Sequence, residues 1–86
     1  PVTSTKGVTG HLVGATGAVE AVIGLLSAAA GTVPPVANLT DPDVDPTIDL
    51  VRDAPRSIAV LPVLSNSFGF GGHNATLILG RVDVTE

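Results

Sequence analysis

Between residues 12 and 30 the chain is built almost entirely from Ala, Val, Leu, Ile and Gly, and Glu20 is the only charge there. Val13, Val19, Val22, Ile23, Leu25 and Leu26 are spread over most of a helical circumference instead of forming one stripe. The spacing therefore predicts a helix over about 12–30 that is apolar all round. Such a helix is stable only inside a large core or a membrane. Gly31 supplies a helix stop, and Pro34 and Pro35 forbid continuation. The rest of the 86-residue chain is too small to enclose it, because a domain near this size hides only about 60% of the surface its unfolded form exposes. Ten Gly and seven Pro add loops, not core. This segment is expected to work inside a larger fold.

The membrane alternative has length on its side, since a span needs about 20 apolar residues, and Gly10, Gly14 and Gly17 would allow close helix packing. Against it stands Glu20 near mid-span, where a carboxylate costs on the order of 3 kcal/mol, and no cationic or aromatic flank is present. A buried core helix and no membrane partner are expected. The net charge of −4 offers no basic surface to nucleic acid. Without cysteine the chain has no disulfide, zinc ribbon or thiol nucleophile. The opening PVTSTKGVTG lacks the apolar stretch of a signal peptide, which points to a cytoplasmic location.

The remaining pattern reads as a loop over 1–10, an acidic Pro-rich excursion over 31–56, and a strand over about 57–64. A glycine loop over 65–74 and a strand over about 75–82 follow. Residues 34–62 hold six of the seven prolines and most of the acids. Asp41-Pro42 and Asp45-Pro46 start turns, and 48–51 is a candidate short edge strand. The last strand, ATLILGRV, is rich in aliphatic and β-branched residues.

Two clusters carry chemistry: STKGVTGHLVGATGAVEAV at 4–22 and SNSFGFGGHN at 65–74. His11 stands at the mouth of the apolar helix, where a neutral imidazole can donate one hydrogen bond to a developing anion. The competing assignment is a cap or satisfied core histidine. Glu20, stranded among apolar neighbours, needs a partner, and Lys6, the only lysine, can fold back to it. Gly69, Gly71 and Gly72 free the backbone to approach a ligand or to make an ordinary tight connection. Neither cluster matches a dinucleotide or Walker phosphate loop. His11, His73 and the acids lack metal-ligand spacing, so no metal is expected. Asn38 and Asn74 begin glycosylation sequons, which matter only in a secreted chain.

In this order, S-T-K-x-x-T-G-H-x-x-G-A-x-G-A-x-E, V-P-P-x-x-N and N-S-F-G-F-G-G-H-N resemble the C-terminal end of a β-ketoacyl-acyl carrier protein synthase. The type it resembles is the elongating condensing enzyme of type II fatty acid synthesis, also similar to polyketide ketosynthases; the ending GGHN is similar to actinobacterial members. The resemblance covers almost the whole chain and is weakest over 41–62. It implies an α/β class: the C-terminal part of a thiolase-like fold, a buried helix followed by two antiparallel strands, incomplete on its own. The reaction it implies is a decarboxylative Claisen condensation of an acyl thioester with malonyl-carrier protein.

Residue by residue, His11 matches the second active-site histidine, which stabilises the enolate. Lys6 matches the active-site lysine, and Glu20 the supporting glutamate that contacts it. Phe70 matches the gatekeeper of the acyl channel, its backbone N–H an oxyanion donor, with Phe68 and Gly69 in the same mobile loop. His73 falls where the family tolerates Thr and is taken as structural. The resemblance implies no cofactor beyond the phosphopantetheine of the carrier protein. It also implies three kinds of partner: the remainder of the fold with its Cys and second histidine, acyl carrier protein, and a homodimer or ketosynthase heterodimer.

The alternative is a non-catalytic relative, such as a chain-length-factor-like partner acting by binding; Lys6, His11 and Phe70 weigh toward the catalytic lineage. An independently folded binding domain is disfavoured by the apolar surplus. Because the nucleophilic Cys and the H-G-T histidine are not among these residues, the isolated chain given acyl- and malonyl-carrier protein is expected to release no β-ketoacyl product. Mass spectrometry of the carrier protein checks this directly.

Overall fold

The computed structural model describes residues 1–59, 62–80 and 82. Helix α1, Lys6–Thr9, is a single turn, ended by Gly10 at φ +72°. A 3-10 turn, Val13–Ala15, leads into α2, Thr16–Ala30. Gly31 closes α2 in the left-handed conformation (φ +65°), its N–H donating back to the carbonyls of Ser27 and Ala28, as helix ends favour. Strand β1, Thr32–Val33, pairs antiparallel with β2, Arg56–Ser57, and β3, Val63–Phe68, pairs antiparallel with β4, Asn74–Leu79.

The expected limits shift for identifiable reasons. The loop over 1–10 contains the α1 turn, and the helix over about 12–30 loses its first residues to the 3-10 turn. The strand expected over 57–64 appears as the two-residue β2 and the later β3, because Pro62 cannot donate to a ladder. Val60 and Leu61 of that expectation lie outside the described residues. Strand β3 instead runs into the polar Ser65, Asn66 and Ser67, which alternate in burial along it. The register pairs Asn66 with Thr76, and the Thr76 hydroxyl donates to Asn66 Oδ1 at 2.8 Å. The glycine connection thus shortens to 69–73, and Phe68 is the last residue of β3. Strand β4 ends at Leu79, short of the expected 82; Arg81 lies outside the described residues. The edge strand expected over 48–51 reduces to one parallel bridge, Val2 to Leu50.

Helix α2 lies on one face of the β3–β4 hairpin at glycine contacts. A Cβ on Gly17 would meet Ser67 Oγ at 3.4 Å, and one on Gly24 would meet Val63 Cγ1 at 3.2 Å. As α2 advances from 17 to 24, β3 retreats from 67 to 63, so the two run antiparallel. The excursion packs back on the N-terminal segment. Val51 is buried, its N–H donating to the Val2 carbonyl at 2.9 Å while its own carbonyl accepts from Val36 at 2.8 Å. Thr3 Oγ1 donates to the Pro34 carbonyl at 2.6 Å. Arg56 Nη1 donates to Asp49 at 2.6 Å, a contact that holds the Asp49 carboxyl below its ordinary pKa.

The chain by itself does not enclose α2, as its small size implies. Within these residues only its Thr16 and Ala28 are buried, whereas Val22, Leu25 and Leu26 are exposed. A two-stranded hairpin covers one side of a helix that is apolar on every side. By length and composition Val13–Ala30, with mean hydropathy 1.6, is also long and apolar enough to cross a membrane.

The tightest approach is at Gly7, where a Cβ would stand 2.5 Å from the Ala37 carbonyl oxygen and where Asn38 Nδ2 donates to the Gly7 carbonyl at 3.1 Å. Gly7→Ala is expected to force backbone apart and to destabilise the full-length protein by about 1–3 kcal/mol, read as a lowered midpoint in chemical denaturation.

Candidate active site

The charge stranded in α2 finds its partner: Lys6 Nζ donates to Glu20 Oε2. The pair crosses from α1 to the second turn of α2 and sits in shelter, with the Glu20 side chain 17% exposed and that of Lys6 40%. Both line a groove of about 610 Å³ between the N-terminal segment, α2 and β3, whose walls include Thr3, Ser27, Val63 and Ser65. Neither His11 nor Phe70 lines this groove.

His11 occupies the turn between α1 and α2. Its Nδ1 accepts the Val13 backbone N–H at 3.0 Å and lies 3.2 Å from Thr16 Oγ1. An amide can only donate, so Nδ1 carries a lone pair and the proton of the neutral ring belongs on Nε2. The ring is exposed and leaves Nε2–H free to meet a ligand oxygen. The geometry is held at a cost. Val13 has φ +52°, a left-handed conformation that is unfavourable for a β-branched residue.

The glycine hairpin stands at the same end of the molecule. Because α2 and β3 run antiparallel, the N-terminus of α2, with His11 beside it, lies at the C-terminal end of β3 where this connection begins. The Gly69 N–H donates to the His73 carbonyl at 2.6 Å, and Gly71 and Gly72 take φ +75° and +78°, which only glycine adopts readily. His73 thus contributes its backbone to the turn. Phe68 is exposed on the outer face of the hairpin, and Phe70 is 96% exposed. Among the described residues no group of three or more His, Asp or Glu is placed to hold a metal.

Of the residues singled out from sequence, Lys6 and Glu20 are joined directly, and His11, Gly69 and Phe70 share an end of the α2–hairpin layer. Sequence reasoning missed Thr16 and the strained Val13. A threonine opening a helix five residues after a histidine was the available signal.

Comparison with known proteins now bears on these residues. Residues 1–40, which include Lys6, His11 and Glu20, match the family described as β-ketoacyl synthase, C-terminal domain. A 3-oxoacyl-(acyl-carrier-protein) synthase 2 of Coxiella burnetii (strain RSA 493 / Nine Mile phase I) is 49% identical over 81 residues, covering 94% of this chain and 20% of that protein. The proteins of the same name from Synechocystis sp. (strain ATCC 27184 / PCC 6803 / Kazusa) and Rhizobium meliloti (strain 1021) are each 50% identical, over 88% and 93% of this chain and 18% and 19% of their own lengths. The chain is thus similar to the β-ketoacyl synthases. Within them it matches a C-terminal segment of the β-ketoacyl-acyl carrier protein synthases, and it spans about a fifth of the length of these relatives. No solved structure matches it.

The ion pair is expected to respond unequally to its two deletions. Lys6→Met leaves a sheltered carboxylate without its counter-charge, whereas Glu20→Gln leaves an ammonium that reaches water. Lys6→Met should cost the full-length protein about 1–2 kcal/mol, between the values for exposed and buried pairs, and Glu20→Gln less. Urea denaturation of both variants tests the order.

Proposed function

We propose that this chain completes the active site of an acyltransferase, a 3-oxoacyl-acyl carrier protein synthase that extends acyl chains by decarboxylative Claisen condensation. The single observation that carries this reading is the His11 turn. An exposed imidazole, fixed through Nδ1 so that Nε2–H points outward, sits in the segment that matches the family. In the complete protein a Cys thiolate from outside these residues holds the acyl group as a thioester. The malonyl group on the carrier protein loses CO₂, and the electron pair of the broken C–C bond becomes an enolate. His11 Nε2–H donates to the enolate oxygen, lowering the barrier at the point where charge develops. The enolate carbon then attacks the acyl thioester carbonyl, a C–C bond forms, and the Cys thiolate leaves.

Lys6, held by Glu20, places a cation near the same segment and acts through its field and its fixed position. Phe70 and Gly69 serve the second carbonyl. The backbone N–H of Phe70 is an oxyanion donor in the acyl step, and its ring, exposed among the described residues, gates the acyl channel with Phe68. The remainder of the protein forms the rest of a thiolase-like fold and covers α2. Fully burying each of Val22, Leu25 and Leu26 would add about 1.5–3 kcal/mol, and the Lys6–Glu20 pair on the second turn of α2 favours an interior helix in a cytoplasmic protein over a membrane span. Acyl carrier protein delivers the substrates on its phosphopantetheine, no cofactor is bound, and two such proteins pair as a homodimer or with a related ketosynthase.

His11→Ala in the full-length protein is expected to lower malonyl-carrier protein decarboxylation by 10²-fold or more, the loss typical of one preorganised donor, while acylation of the Cys persists. Radiolabelled CO₂ release and acyl-enzyme formation, followed separately, decide it. Decarboxylation at the unsubstituted rate would remove His11 from the reaction.

A further inference from the structure

The hydrogen bonds around His11 form a closed set that involves a residue with no role in the reading above. Thr16 is buried, 8% exposed, at the first position of α2. Its backbone N–H donates to the Val13 carbonyl, and its Oγ1 lies 3.2 Å from His11 Nδ1. The Val13 N–H donates to that same Nδ1 at 3.0 Å. Since the amide makes Nδ1 an acceptor, the threonine hydroxyl must be the donor in the second contact. Two donors from different elements therefore converge on one ring nitrogen.

The elements differ in firmness. Val13 is a β-branched residue in the left-handed region, and such backbone persists only where its surroundings over-determine it. Thr16 is anchored by α2, which packs on the hairpin through Gly17 and Gly24. Its amide braces the strained residue and its hydroxyl braces the ring.

We propose that Thr16 is a positioning residue: it ties the His11 imidazole to α2 and, with the Val13 amide, keeps the proton on Nε2, the atom aimed at the substrate. This rests on the assignment of His11 as the enolate-stabilising donor. If the ring swings away or exchanges tautomers, Nε2–H is absent part of the time, and the loss falls on the decarboxylation step alone.

The test uses the full-length protein with Thr16→Val, which keeps the branched shape and removes the hydroxyl, and Thr16→Ser, which keeps the hydroxyl. Thr16→Val is expected to lower kcat for malonyl-carrier protein decarboxylation about 5-fold, roughly 1 kcal/mol at 1.36 kcal/mol per tenfold, with KM and the rate of Cys acylation unchanged. Thr16→Ser should return kcat to within twofold of the unsubstituted protein. Histidine ¹⁵N spectra, with the His11 signals assigned by His11→Ala, give a readout free of activity. The native ring should show separate protonated and unprotonated nitrogens, and Thr16→Val should bring the two signals together as tautomers mix. Native kcat and unmoved ¹⁵N signals in Thr16→Val would overturn the proposal, as would failure of Thr16→Ser to rescue or an equal loss in acylation. If the unsubstituted protein does not decarboxylate malonyl-carrier protein, the functional reading fails by itself, and the ¹⁵N signals still decide whether Thr16 sets the tautomer.

Discussion

The ion pair between Lys6 and Glu20 is the interaction on which this arrangement depends. A carboxylate on an otherwise apolar helix is unfavourable in any dry setting unless a cation meets it, and the only lysine of the chain meets it from the preceding segment. That contact brings α1 over α2 and fixes where the intervening residues turn back. His11 lies inside the closed loop, five residues past one partner and nine before the other, so a charge pair that need not touch substrate settles where the imidazole stands.

A second constraint acts through glycine. Helix α2 approaches β3 where Gly17 and Gly24 carry no side chain, and this sets the antiparallel course that brings the His11 turn and the Gly69–Phe70 connection to the same end. The excursion over 31–56 is anchored in the same manner, with Gly7 admitting the Ala37 carbonyl and Asn38 bonding back to Gly7. The chain is thus organised by close backbone approach more than by large side chains, as expected of a sequence whose only aromatics are Phe68 and Phe70.

The apolar surplus links fold to function. Val22, Leu25 and Leu26 on α2, and Leu64, Phe68 and Ile78 on the outer face of the hairpin, are exposed together. An amphipathic surface helix would have turned such residues inward. Here no single orientation does so, because the apolar positions surround the axis. The curated relatives that this chain matches are about five times its length, and an apolar surface of this kind is one that a larger fold covers.

The order of elements, the all-round apolar helix with its stop at Gly31, and Lys6 as the partner of the lone Glu20 were legible in the sequence. Each depends on local chemistry: periodicity, a glycine stop, a lone charge, a motif. Strand limits were not, because Pro62 and the polar Ser65–Ser67 run obey the pairing partner and not their own propensity. Nor were the Thr16 contact, the left-handed Val13 and the shared end of the two clusters. The shared end depends on how α2 meets β3, whose residues are far apart in the chain, whereas the His11 contacts span only two and five residues and depend on the conformation of the turn into α2. Sequence alone therefore determined which groups are available for chemistry, and tertiary structure decided which nitrogen of His11 faces outward, since that follows from two donors that only the folded turn brings to Nδ1.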